Sequence, residues 1–246
     1  MRKHLEYLEH VLSLITQIKD TQAENIQNAA ELLYSAFKEG KSIFAFGASH
    51  AGIITEEFYG RAGGLMVANP VFNPTLMLNT MPFTITSHME RLEGFGNIIL
   101  KNTKIKEGDV LLIHSVSGRN AVTIDMAMEA KNMGVKLIVI TSLTYSKAVK
   151  SRHSAGKNLY EFGDIIIDNC GEIGDACVTV DGSGVKAGAA STATGAVIVN
   201  MIVSGFAELC AADGIEPPVF MSANNIQDPE RDHRIFSKYQ EQIHYI

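Results

Sequence analysis

Residues Ser115 to Asn120, Ser-Val-Ser-Gly-Arg-Asn, place two hydroxyl side chains, a glycine and an arginine within one short stretch. Hydroxyls donate hydrogen bonds, Gly118 lets the backbone approach a ligand closely, and Arg119 offers a full positive charge. These residue types favour binding of an anion. A metal is not expected, because the loop contains no carboxylate and no cysteine. The same residues also have a local explanation, since serine and asparagine are common in loops and helix caps. Residue type alone leaves both readings open.

The flanking segments fix where the loop must lie. Val110, Leu111, Leu112 and Ile113 form an apolar run after Gly108-Asp109, the pattern of a strand buried on both faces. From Ala121 the apolar positions Val122, Met126 and Ala130, widened by Ile124 and Met128, follow a helical period that stops at Met133-Gly134. Val135 to Ile140 is a second buried strand. Such a crossover unit puts the loop at the C-terminal edge of a parallel sheet, beside the partly positive N-H groups of a helix start. Open α/β sheets bind ligands at that edge.

The remaining elements complete a three-layer α/β/α sandwich around a mainly parallel five-stranded sheet. Ser42 to Phe46 is the first strand, followed by Gly47-Ala48-Ser49-His50-Ala51-Gly52 and a helix from about Ile53. That turn is neither a P-loop nor a dinucleotide fingerprint. Glu56 and Glu57 are neighbours on the helix, and at helical spacing only one faces a site. Leu65 to Ala68 is a strand that Asn69-Pro70 ends, and 71–82 is an extended loop. His88, Glu90, Arg91 and Glu93 open a polar helix that either covers a ligand or faces solvent. Lys147, Lys150, Arg152, His153 and Lys157 form a basic cluster just past a strand end, drawing anions in or simply solvated. Asp164 to Asp168 is the fifth strand, Asn169 to Asp175 a polar loop at the same edge, and Ala176 to Val180 a short additional strand. A long apolar helix runs from Ser191 to about Ala212.

Both ends carry appendages, giving residues 1–40, 41–212 and 213–246 as hairpin, core and arm of a single domain. Leu5, Leu8, Leu12 and Ile15 form one helical stripe, and Thr21-x-x-Glu24 is a capping-box pattern that starts a second helix ending at Gly40. The first helix packs within its own subunit or against a second one. The arm is extended from Glu216 to Asn225, carries an exposed Phe220, and ends in a helix from about Pro229 to Ile243 containing His233.

Composition narrows the function classes. With 246 residues and 46% hydrophobic content the chain can bury one large core. A net charge of −6 argues against a nucleic-acid surface, which needs a basic stripe. Cys170, Cys177 and Cys210 are odd in number without Cys-x-x-Cys spacing, so free thiols in a reducing compartment are expected. Glu6, Glu9 and His10 interrupt any signal-peptide core, and the apolar stretch 195–209 is too short to span a bilayer. A soluble cytoplasmic protein follows, with no membrane partner, metal or cofactor.

The stretch Gly108 to Thr141 resembles the second signature of the SIS (sugar isomerase) domain family, in which a strand enters a Ser-x-Ser-Gly loop and then a helix. It looks most like the phosphoheptose (sedoheptulose-7-phosphate) isomerase branch, and the resemblance covers about residues 25 to 212. It implies a flavodoxin-like fold whose loop holds a sugar phosphate, with Ser115, Ser117, Gly118, Arg119 and Asn120 at the phosphate. Ser49 matches the serine of the first loop. Glu57, before Phe58-Tyr59-Gly60-Arg61, matches the glutamate that takes the proton next to the carbonyl, a role that calls for a pKa raised by burial. Those isomerases carry a partner histidine on the last core helix, but none lies between Ser191 and Ala212, and Asn200 stands near its place. His50 is the first choice of replacement, with His114, His153 and His233 as others. The implied function is aldose-ketose isomerisation of a sugar phosphate by a homodimer or higher homo-oligomer. Alternatives are a non-catalytic sugar-phosphate sensor and an amino-sugar-phosphate etherase or lyase.

Overall fold

No glycine or proline occurs between Lys3 and Lys38, and this stretch forms one uninterrupted 36-residue helix, α1 (Lys3–Lys38). The expected helical hairpin is therefore corrected to a single helix. Thr21 does not cap a second helix; its hydroxyl donates to the Gln17 carbonyl at 2.8 Å, one turn back inside α1. Gly40, at φ +73°, ends the run. The computed structural model describes residues 2–222, 224 and 228–246.

The elements that follow are β1 (Ile43–Gly47), α2 (Gly52–Phe58), β2 (Ala68–Pro70), α3 (Ile85–Met89), α4 (Phe95–Lys101), β3 (Val110–His114), α5 (Ala121–Asn132), β4 (Lys136–Thr141), α6 (Leu143–Ala148), β5 (Ile165–Asp168), β6 (Ala176–Val180), β7 (Val185–Ala189), α7 (Ser191–Ala212) and α8 (Arg231–Lys238). Strands β2-β1-β3-β4-β5 form one sheet in that order, every pair parallel. The register pairs Gly47 with His114 at the adjoining ends of β1 and β3. From β1 the chain turns outward to β2, while β3 continues on the other side. The loops leaving β1 and β3 therefore diverge, and the crevice between them is the topological switch point of the sheet.

Alternation along the strands sorts the core into two halves. Ile43, Ala45, Val110, Leu112, Ile138 and Ile140 face the layer made by α1, α2 and α7. Phe44, Phe46, Leu111, Ile113, Leu137 and Val139 face α4 and α5, meeting Leu100, Val122, Met126 and Ala130. Burying each such aliphatic side chain contributes about 1.5 to 3 kcal/mol, so both faces of the central strands hold the crevice rigidly.

Three boundaries differ from expectation. The second strand begins at Ala68 and includes Pro70, because β2 lies at the sheet edge, where proline's missing N-H breaks no ladder. Residues 88–93 do not form one polar helix; α3 ends at Met89 and α4 starts after Gly94 at φ +82°. β6 pairs with β7 in a separate antiparallel hairpin. α7 has 22 residues, long and apolar enough to cross a bilayer, where the sequence suggested a segment too short. It serves as a core helix, with Ile198, Ile202, Phe206 and Cys210 buried.

The C-terminal arm folds back on its own chain. Gln242 donates to the carbonyls of Phe37 and Lys41, the His244 amide donates to Asn69, and the Tyr245 hydroxyl donates to the Met66 carbonyl. Phe220 is half-buried, its ring 6.0 Å from that of Phe236, and is not the exposed aromatic expected. Part of the arm named from sequence, Ala223 and Asn225, lies outside the described residues.

Candidate functional site

At the crevice, β3 ends in His114 and the chain runs through Ser115, Val116, Ser117, Gly118, Arg119 and Asn120 into α5. Gly118 takes φ +60°, and a Cβ there would lie 2.8 Å from Ser146 Oγ, so both conformation and space demand glycine. Ser115 is buried, and among the described residues neither its hydroxyl nor that of Ser117 has a side-chain partner. No backbone amide from Ser117 to Ala121 donates to the backbone there either. Unengaged hydroxyls and amides at the start of a 12-residue helix make an anion cradle. Arg119 adds a buried Nε-H with no acceptor among the described residues.

The turn after β1 approaches from the opposite side. A Cβ on Gly47 would lie 2.3 Å from the Ala51 carbonyl, which explains the glycine. Ser49 takes φ +54°, a left-handed conformation that serine adopts at a cost of about 1 kcal/mol or more. The two turns enclose a recess of about 340 Å³ lined by Ala48, His50, Ala51, Glu90, Ser115, Val116, Ser117, Asn120 and Thr123. Of the residues named from sequence, His50, Ser115, Ser117 and Asn120 thus come together, with Ser49 joined to them through Glu90.

Glu90 was expected only as part of a cover or a solvated face. Its carboxylate instead bridges the two turns: it accepts from the Ser49 hydroxyl and from Asn120 Nδ2, the latter at 2.5 Å. Asn120 Oδ1 in turn accepts from Arg152 Nη1 at 2.8 Å, bringing one member of the basic cluster to the rim. Nothing in the polar run His88 to Glu93 singled out this residue, because the φ of Gly94 and the path of the chain between α3 and α4 decide where it points.

Glu57 is placed elsewhere. It does not line the recess; it faces α7, accepting from Asn200 Nδ2 at 2.8 Å and from Arg61 Nη1 at 2.5 Å. Asn200 therefore stands opposite the glutamate, as its sequence position suggested. The expectation of a raised pKa is corrected: burial pushes the carboxyl up, but the hydrogen bonds from Asn200 and Arg61 and the charge of Arg61 outweigh it and hold it below the ordinary range. Glu56 points into a separate cavity of about 580 Å³, bounded by Ser49, Gly52, Asn73 and Asn79.

The other histidines have structural positions. His114 is fully buried, with Nδ1 3.2 Å from the Ala51 carbonyl, and burial pushes its pKa down to about 4. His153 Nδ1 accepts the Ala155 amide, so its Nε2-H donates to Asp125 at 3.0 Å and pins the 150s loop to α5. His233 is exposed on α8.

Comparison with known proteins places this geometry in context. A family model described as SIS domain matches residues 6–142. A UPF0309 protein of Shouchella clausii strain KSM-K16 is 47% identical over 241 residues, covering 98% of each chain, and one of Oceanobacillus iheyensis is 46% identical over 241 residues with the same coverage. Among solved structures, a phosphoheptose isomerase from Francisella tularensis superposes with a TM-score of 0.56 at 17% identity, covering 84% of this chain and 97% of that one. A sugar-phosphate complex of an Escherichia coli CFT073 protein gives 0.54 at 19% identity, covering 85% and 90%. With the domain match spanning more than half of its length, the chain belongs to the SIS domain family.

Proposed function

We propose that this chain binds a sugar phosphate, with the phosphoryl group in the recess between the β1 and β3 turns. The observation that carries the reading is the cradle at the switch point, where the hydroxyls of Ser115 and Ser117, bare amides of the α5 start and the buried Nε-H of Arg119 converge. Gly118 lets that backbone turn inward, and Ser49 and Asn120 supply further donors. The sugar phosphate bound to the Escherichia coli neighbour is consistent with such a ligand.

The chemistry proposed for the bound sugar is aldose-ketose isomerisation, with Glu57 removing the proton next to the carbonyl and His50 carrying a proton between oxygens. One observation favours a second reading, a sensor that binds without turnover. Glu57 is held ionised by Arg61 and faces Asn200, which exchanges no proton at neutral pH. A panel of sugar phosphates screened by thermal shift, with turnover assays on each stabilising compound, tests both. Stabilisation with turnover that vanishes in Glu57→Gln supports the isomerase, stabilisation without any turnover supports the sensor, and no stabilisation by any compound contradicts both.

The same reading includes a single-domain, cytoplasmic homo-oligomer. Leu5, Leu8 and Leu12 are exposed along α1, and α1 and α7 flank an apolar groove lined by Ala23, Ile26, Ala196, Val197 and Met201. An exposed leucine stripe and an apolar groove on one chain are complementary between two copies.

A further inference from the structure

Two of the donors assigned above to a phosphoryl group already serve a carboxylate of the protein. Glu90 accepts from Ser49 Oγ with one oxygen and from Asn120 Nδ2 at 2.5 Å with the other. Its backbone carbonyl accepts the Val122 amide at 3.1 Å, so the residue is also tied to the first turn of α5. We propose that Glu90 is a resident anion of the site, so that a phosphoryl group enters by displacing its carboxylate from Ser49 and Asn120. The proposal rests on the phosphoryl reading of the recess and names the residue that sets affinity there.

Electrostatics requires the exchange. A carboxylate and a phosphoryl group sharing the same donors repel each other, more strongly in a partly desolvated recess than in water. Hydrogen bonds to Glu90 must therefore break as those to the ligand form, and observed affinity is reduced by their strength. The surroundings give the displaced carboxylate somewhere to go. Arg152 lies across Asn120 from it, with Nη1 2.8 Å from Asn120 Oδ1, and the main chain of Arg152 is fixed by its amide donating to the Arg119 carbonyl at 2.9 Å. A turn of the Glu90 side chain away from Ser49 toward this guanidinium exchanges two neutral donors for an ion pair.

The test uses inorganic phosphate as probe and the full chain at neutral pH, titrated calorimetrically. Glu90→Gln keeps the side-chain shape and removes the charge, and it is expected to bind phosphate about tenfold or more tighter than the wild type, given the strength of hydrogen bonds to charged groups. Glu90→Asp, which keeps the charge but withdraws it by one methylene, is expected to gain affinity by a smaller factor, and it serves as the test if Glu90→Gln fails to fold. Equal or weaker phosphate binding by a folded Glu90→Gln, in a protein whose Ser115→Ala/Ser117→Ala variant has lost binding, overturns the displacement while leaving the recess intact. Absence of phosphate binding in the wild type and all variants overturns the recess as well.

Discussion

Asn200 Nδ2 lies 2.8 Å from Glu57 Oε1, and Arg61 holds the same carboxylate from the other side. This relationship makes Glu57 a charged group anchored between α2 and α7, and it opposes the burial that would otherwise raise its pKa. Replacing Arg61 by alanine removes a charge and a donor together. The Glu57 carboxyl, followed by an NMR pH titration, is expected to move up from below its ordinary range. An unchanged value would show that Arg61 is not what holds it. Because Arg61 is largely exposed, the cost in stability is expected to be only about 0.3 to 0.5 kcal/mol.

His114 predicts a pH dependence of stability with a definite sign. Its pKa is about 4 in the fold against an ordinary 6.5. Between those values the unfolded chain binds a proton that the folded chain refuses, so stability falls as pH drops through that window, by up to about 3 kcal/mol. Urea unfolding at a series of pH values should show the slope in the wild type and a shallower one in His114→Gln. Equal slopes would contradict a buried neutral imidazole.

The continuity of α1 is testable at the residue that suggested a break. Thr21→Pro removes a helical hydrogen bond and clashes with the preceding turn, at a cost of about 3 kcal/mol or more in a helix interior. A hairpin with its second helix starting there would tolerate proline at that point. Thermal unfolding with far-UV circular dichroism distinguishes the two: a large loss of stability is expected, and an unchanged melting temperature would favour the hairpin.

Gly118→Ala tests the cradle. The φ of +60° costs an L-residue about 1 to 2 kcal/mol, and the new Cβ also forces Ser146 to move. The variant is expected to be less stable by at least that amount and to bind sugar phosphates more weakly. Full stability in urea unfolding would mean that the turn is relaxed in solution.

Local patterns carried much of this in the sequence. The switch from the run Val110 to Ile113 to the helical period of Val122, Met126 and Ala130 located the crossover unit, because buried parallel strands and amphipathic helices have unmistakable spacing. Ser115, Ser117 and Asn120 followed from that unit. Glu90 did not, because its role depends on a left-handed glycine and a connection between short helices that leave no period to read. Thr21 misled because a capping box and a mid-helix threonine share the same residues, and only the absence of glycine or proline nearby distinguishes them. Glu57 was located beside Asn200, yet the sign of its pKa shift turned on the reach of Arg61, a side-chain conformation that spacing allows but does not impose.

The central claim is that Ser115 and Ser117 hold the phosphoryl group. The most direct test is calorimetric titration of the Ser115→Ala/Ser117→Ala variant with whichever sugar phosphate most stabilises the wild type. Two charge-assisted hydrogen bonds at about 1.5 to 3 kcal/mol each predict a loss of roughly a hundredfold or more in affinity. Affinity equal to the wild type, in a variant that melts normally, would place the ligand somewhere other than this recess.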